Sequence, residues 1–359
     1  MWKYKDFFSS TVGLEKLTLG EGNTPLIKSK WIGPSLGLEN LYFKLETVNP
    51  TGSYKDRFAS LALANIRRRN GKICLATSSG NTGAALAAYA AALGIPCKVA
   101  IVDGAPYGKL RQMQIYGADL FMIKDFGIDS RVTSYTFDAL SKIAVDNATE
   151  IQVSAYEYSP LGMEGVETIG FEISEQLPSA MHVFVPAGGG GLTLAIAKGF
   201  QKWKAAYANF NPPKIHCVQP SGNNTIAGNL RLGLPKAQAV TKSTTKISGL
   251  QVANIIDGNQ TITACRNSGG TGFLVEDSTV YKYQKLLATR EGIYTEPAGA
   301  VALTAVADAL ENNIVFGKEP AIVIITGSGF KDTESSDQMV CDMSIKKIND
   351  LTTLASYFK

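Results

Sequence analysis

Lys55 stands in the run Asn49-Pro50-Thr51-Gly52-Ser53-Tyr54-Lys55-Asp56, a turn that leads into a helix, and an amine held there can act as a nucleophile or a base. Pro50 presets φ, Gly52 tolerates a positive φ, and Ser53 is expected to cap a helix that opens with Tyr54. The partial positive charge of a helix N-terminus disfavours an ammonium, and burial acts in the same direction, so the position favours the neutral amine that attacks carbonyl groups. Taken alone, a lysine after a turn is ordinarily a solvated surface charge. Further Gly-rich segments change that reading, because each stands at the end of an apolar, strand-like run.

Ala187-Gly188-Gly189-Gly190-Gly191-Leu192-Thr193 follows one such run and opens an apolar helix from Leu194 to Trp203. Glycines let backbone N–H groups close around an anion, and the helix start adds its dipole, which describes a phosphate cradle. The segment is neither a dinucleotide fingerprint, since Thr193 or Leu194 stands where the last glycine belongs, nor a P-loop, since no Gly-Lys-Ser/Thr follows. Thr77-Ser78-Ser79-Gly80-Asn81-Thr82-Gly83 joins a second strand to an Ala-rich helix. Its hydroxyls and N–H groups suit a carboxylate, as an amino-acid substrate presents, and Asn81 can donate to a ring oxygen. Thr326-Gly327-Ser328-Gly329-Phe330 follows a third strand, and a hydroxyl there can face a heteroaromatic nitrogen without protonating it. Glu296-Pro297 begins another helix, with Glu296 expected as its cap and its simplest role structural.

Positioning these segments requires alternating strands and helices. Leu41–Leu45, Ile73–Thr77, Lys98–Val102, Leu120–Ile123, His182–Pro186, Ile215–Val218 and Ala321–Ile325 are apolar runs of strand length, separated by helical patterns. The pattern predicts an α/β fold in two domains of parallel-rich twisted sheets flanked by helices, with a ligand in the crevice between them. The expected boundaries are 1–74 with 156–359 for the larger domain and 75–155 for the smaller. A chain of 359 residues, 45% hydrophobic, can bury two cores. A net charge of +4 and the lone basic triplet Arg67-Arg68-Arg69, at a helix end, argue against nucleic acid. The charged start and the short apolar stretch 84–95 argue against secretion and membrane insertion, and Cys74, Cys97, Cys217, Cys265 and Cys341 show no CxxC spacing. They read as buried reduced thiols in a cytoplasmic protein. His182 and His216 have no metal-site companion at close spacing along the sequence, so no metal site is expected.

In their order along the chain, LGEGNTPL (19–26), NPTGSYKDR, SSGNTG, GGGGL, REGIYTEPAGA and TGSGFKD resemble the pyridoxal-phosphate enzymes of fold type II, and among them the threonine synthases most. The resemblance spans about residues 20 to 332 and implies pyridoxal 5′-phosphate as cofactor, a small amino-acid substrate, lyase chemistry and a homodimer. By the same resemblance, Lys55 is the Schiff-base lysine and the catalytic residue, Tyr54 the aromatic beside it, and Asn81 the partner of the cofactor's phenolic oxygen. Gly188, Gly189, Gly190, Gly191 and Leu192 form the phosphate cup, and Thr326 supplies the hydroxyl at the pyridine nitrogen. Ser78, Ser79, Gly80 and Thr82 form the substrate-carboxylate loop.

The chain departs from threonine synthases in two places. It carries the glycine run where they tend to have GNxGN, and in Gly162-Met163-Glu164-Gly165-Val166-Glu167-Thr168 it has Gly162 where an Arg holds substrate phosphate and Glu167 where a Lys is common. Each charged hydrogen bond lost costs about 1.5–3 kcal/mol, which puts O-phosphohomoserine in question. A threonine or serine dehydratase, a β-replacement enzyme of the cysteine or cysteate synthase kind, and a silent ligand-binding paralogue remain open at this point.

Overall fold

His182–Pro186 and Ala321–Ile325 are buried along their whole length, as strands covered on both faces must be. The computed structural model describes residues 1–348 except 104, 106, 128 and 316, together with 354, 357 and 358, and leaves aside the side chains of 107–109 and 130. Its strands are β1 (Leu26–Lys28), β2 (Leu41–Leu45), β3 (Cys74–Thr77), β4 (Cys97–Ile101), β5 (Asp119–Met122), β6 (Ile151–Gln152), β7 (His182–Pro186), β8 (Lys214–Pro220), β9 (Gly272–Val275) and β10 (Ala321–Ile325). Its helices are α1 (Ile32–Ser35), α2 (Lys55–Arg68), α3 (Asn81–Leu93), α4 (Tyr107–Ile115), α5 (Ser130–Asp146), α6 (Pro160–Gln176), α7 (Gly191–Ala206), α8 (Ala227–Arg231), α9 (Gly258–Asn267), α10 (Asp277–Leu286), α11 (Pro297–Glu311) and α12 (Thr333–Val340).

The strands form a six-stranded sheet, β1-β2-β10-β7-β8-β9, parallel except for the edge strand β1, and a four-stranded parallel sheet, β5-β4-β3-β6. This is the expected fold class. In the larger sheet β10 lies between β2 and β7, with Ile325 opposite Leu45 and Val323 opposite Phe184, so the three strands end at one edge. The chain leaves β2 toward the Lys55 turn, β10 toward Thr326 and β7 toward the glycine run. A ligand at the carboxyl ends of parallel strands meets all three, as topology dictates for open α/β sheets. The Ser78–Thr82 loop leaves β3 of the other sheet.

Helices α2 and α7, which begin at Lys55 and at the glycine run, both pack on α6. Their backbones touch: a Cβ on Gly165 of α6 would lie 2.1 Å from the Arg57 carbonyl oxygen, and one on Gly199 of α7 would lie 2.2 Å from that of Glu167. Only glycine permits these approaches. The thiols of Cys74, Cys97, Cys217 and Cys265 are buried, but Cys341, at the end of α12, is exposed, contrary to expectation. That short helix packs through Ser335 on Gln284 and leaves its far end to solvent. Among the described residues no helix is long and apolar enough to cross a membrane.

Candidate active site

Lys55 is the first residue of α2 and half-buried, with its Nζ 4.6 Å from the centroid of the Tyr54 ring. Tyr54, not Ser53, is the N-cap residue, and no side chain caps the helix. The expected Ser53 cap is corrected by tertiary pairing: Ser53 forms an antiparallel bridge with Gly327, and the Tyr54 N–H donates to the Thr326 carbonyl at 3.1 Å. These contacts hold Ser53 against the β10 loop, and its buried hydroxyl has no hydrogen-bond partner among the described residues. The lysine turn and Thr326 are therefore joined directly.

Asp56 folds back on the turn. Its Oδ2 accepts from the Thr51 N–H at 3.0 Å, while Oδ1 makes no hydrogen bond among the described residues. Burial pushes this carboxyl up to about 7, against the hydrogen bonds from Thr51 and the charge of Lys331.

Asn81 opens α3, and its side-chain amide donates to Glu296 Oε1 at 2.7 Å. A Cβ on Gly327 would meet Glu296 Oε1 at 2.2 Å and Asn81 Nδ2 at 3.1 Å, so these groups crowd the residue next to Thr326. Glu296 is the N-cap residue of α11, yet its side chain makes no cap; it is spent on Asn81. Sequence reasoning left Glu296 structural, and nothing local betrays this contact, because its partner lies 215 residues away. Ser78 Oγ accepts from the N–H groups of Gly80 and Gly83, at 3.3 and 3.1 Å, and stiffens the start of α3. Ser79 and Gly80 are half-buried and Thr82 is buried in the same turn.

In the glycine run the carbonyls are tied back: Gly188 O accepts from Gln219 Nε2, Gly189 O from the Asp257 N–H, and Gly190 O from Thr261 Oγ1. Among the described residues the N–H groups of Gly188, Gly189 and Gly190 donate to nothing. Gly190 has φ of 95° and caps α7, and a Cβ there would lie 2.4 Å from Thr261 Oγ1. With Gly191 and Leu192 in the first turn of α7, the run presents a row of donors at a helix N-terminus. Asp257 braces it, accepting the N–H groups of Tyr156 and Glu157 at 2.9 and 3.2 Å.

Gly162 and Glu167 point elsewhere. A Cβ on Gly162 would lie 2.7 Å from the Phe58 ring, at the crossing of α2 and α6, so no larger side chain fits. Glu167 pairs with Lys202 at 2.6 Å and accepts from the Tyr156 hydroxyl at 2.7 Å.

The model of one protein family, described as "Pyridoxal-phosphate dependent enzyme", matches residues 17–327. The chain belongs to that family. Its cofactor is accordingly pyridoxal 5′-phosphate, and the family acts on small amino acids. The chain is 30% identical over 357 residues to a threonine synthase of Methanocaldococcus jannaschii, covering 97% of this chain and 86% of the relative. It is 31% identical to a threonine synthase of a Bacillus species, over 96% and 93% of the two chains. A solved threonine deaminase from Solanum lycopersicum shares the fold with a TM-score of 0.71 at 24% identity, over 89% of this chain and 83% of that one.

The residues present fit the family's cofactor. A phosphate needs several convergent donors, and the unengaged N–H groups of the glycine run supply them without a competing carboxylate hydrogen-bonded to them.

Proposed function

We propose that the protein is a threonine-synthase-like lyase that works on an amino acid by elimination or replacement. The observation that carries this reading is the convergence of the Lys55 turn and Thr326 through the Tyr54 hydrogen bond, one strand away from the glycine cup. When bound, the cofactor supplies a sink for negative charge at the substrate's α-carbon. Gly188, Gly189, Gly190, Gly191 and Leu192 would hold its phosphate, Tyr54 and Lys55 would border it, Thr326 would offer its hydroxyl to the ring nitrogen, and Asn81, oriented by Glu296, would serve the phenolic oxygen. A hydroxyl at that nitrogen makes a weaker sink than a carboxylate does, which suits elimination and replacement.

Lys55 is the catalytic residue: its amine takes the α-proton and returns it. Ser79, Gly80 and Thr82, with the capping Ser78 behind them, bind the substrate carboxylate at the positive end of α3. A β or γ leaving group then departs, and water or a second nucleophile adds.

The crowding at Gly162 and the pairing of Glu167 favour a second reading, in which the substrate is threonine, serine or a β-substituted alanine rather than O-phosphohomoserine. Phosphate release from O-phosphohomoserine, assayed beside keto-acid formation from threonine and serine, decides between them. Lys55→Ala is expected to lower whichever turnover exists by about 10²–10⁴-fold without unfolding the protein. Wild-type holoenzyme inert toward every one of these substrates would defeat both readings and leave a silent ligand binder.

A further inference from the structure

Between the Lys55 turn and the Ser78–Thr82 loop opens a cleft lined by Thr51, Gly52, Gly80 and Asn81. Among the described elements the chain passes between the two sheets twice, from α2 into β3 and from β6 into α6. The second crossing, residues 153–159, runs behind the glycine cup: a Cβ on Gly191 would lie 3.4 Å from the Ser154 carbonyl oxygen and 2.9 Å from Asp257 Oδ2. Asp257 stands at the N-cap of α9, where an aspartate ordinarily accepts from its own helix, yet its side chain makes no such bond. Its two oxygens instead take the N–H groups of Tyr156 and Glu157, 101 and 100 residues away in the chain. Neither N–H has another acceptor among the described residues. Burial, and less so the charge of Glu157, disfavour the ionised carboxylate; the two hydrogen bonds and Lys198 of α7, whose Nζ lies 4.1 Å from the centroid of the Tyr156 ring, oppose them.

The backbone of the same residue is woven into the cup. The Asp257 N–H donates to the Gly189 carbonyl at 3.1 Å, and Thr261 Oγ1 is shared between the Asp257 carbonyl at 2.9 Å and the Gly190 carbonyl at 3.1 Å. Asp257 thus holds the cup by its main chain and the crossing by its side chain. We infer that Asp257 is a positioning residue that couples the two: an anion seated in the cup fixes the crossing, and through it the setting of the smaller sheet, with the Ser78–Thr82 loop that it carries, against Lys55. The inference rests on the proposed role of Gly188 to Leu192 as the phosphate cup. Such coupling is reciprocal, so whatever releases the crossing must weaken the hold of the cup on its anion by the same factor.

Amide exchange of the full chain, stripped of cofactor and then reloaded either with pyridoxal 5′-phosphate or with pyridoxal, which lacks the phosphate, tests it. The amides of Gly188, Gly189 and Gly190 read the cup, and those of Tyr156 and Glu157 read the crossing. With pyridoxal 5′-phosphate both sets are expected to slow about tenfold or more, and with pyridoxal neither. Asp257→Asn keeps one acceptor oxygen and sets an N–H group against the other donor. In that variant the cup amides should still slow on loading while the crossing amides do not, and the dissociation constant for pyridoxal 5′-phosphate should rise about tenfold. Tyr156→Phe, which cuts only the hydroxyl bond to Glu167, should keep the response of the crossing; its loss there would mean that the segment needs general packing rather than Asp257, and overturns the inference. So do crossing amides that exchange equally in the stripped and both reloaded wild-type proteins, a comparison that needs no variant to fold, or that still respond in Asp257→Asn, and either result leaves a protected cup standing. Cup amides indifferent to the phosphate would remove the cup, and the inference with it.

Discussion

Arg57, two residues beyond the candidate catalytic lysine, has a fully buried side chain. Its guanidinium donates to both oxygens of Glu46, at 2.7 and 2.8 Å, and to both oxygens of Glu172, at 2.7 and 2.8 Å. Glu172 also takes the ammonium of Lys44 at 2.7 Å, so the cluster pairs two cations with two anions. Burial alone would push both carboxyls up, but the Arg57 charge overrides it and holds them well below the usual carboxylate range. Because the cluster is dry, removing one member strands the others: Arg57→Ala is expected to cost about 3–5 kcal/mol, read as a lower urea midpoint. A loss below about 1 kcal/mol, the range of exposed pairs, would mean that the cluster is hydrated in solution. Arg57→Lys should recover little, since an ammonium cannot bind two carboxylates in bidentate fashion.

At the scale of elements, α6 is the rack that sets the lysine helix and the cup helix relative to each other. The backbone contacts at Gly165 and Gly199 leave no room for adjustment, so Gly165→Ala must push α2 away from α6. A cost of about 1–3 kcal/mol is expected, visible as a lower Tm. Because Lys55 rides on α2, activity should drop at temperatures where the variant is still folded; a variant of lowered Tm but full activity would show that the rack serves stability only. None of this was legible locally. Gly162 stands out in the sequence only as a departure from a phosphate-binding pattern, whereas its spacing of three from Gly165 places both on the face of α6 that meets α2.

At the scale of the molecule, buried titratable groups set the pH response. His182 and His216, on neighbouring strands, share a 2.9 Å hydrogen bond; the Thr271 N–H donates to His216 Nδ1, so His216 Nε2 carries the proton toward His182. Burial, then the neighbouring His182, lowers His216 to about 3, and burial lowers His182 despite Glu319. The unfolded chain takes up protons near pH 6.5 that the folded pair refuses, so this stabilisation is full above about pH 6.5 and is lost as the pH falls below it. Glu46 and Glu172 act in the same direction from about pH 4.3 downward. Asp56 acts oppositely: raised to about 7, its contribution is full below its unfolded value of about 3.9 and is lost as the pH rises through about 7. The Tm is therefore expected to fall between pH 6.5 and 5, and a flat profile there would speak against a neutral histidine pair. We also propose that residues 75–155 move as a unit against the rest, closing the cleft on substrate; Asn81 to Glu296 and Gln112 to Thr51 are contacts such a motion would remake. Amide exchange with and without bound substrate tests this, and a cleft protected equally in both states would exclude it.

What the sequence determined by itself was whatever depends on short range. The apolar runs predict the strands, glycine marks the turns, the glycine run and Thr326 follow closely on strands and Lys55 follows a turn into a helix, because backbone preference and hydrophobic period act over a few residues. The tertiary structure alone decided strand order, hence that β10 lies between β2 and β7 and brings Thr326 to the lysine turn. It alone turned Ser53 from a cap into a bridge, gave Asn81 the partner Glu296 and closed Gly162 against Phe58. Those outcomes depend on contacts between residues far apart in the chain, which packing selects and no local spacing encodes.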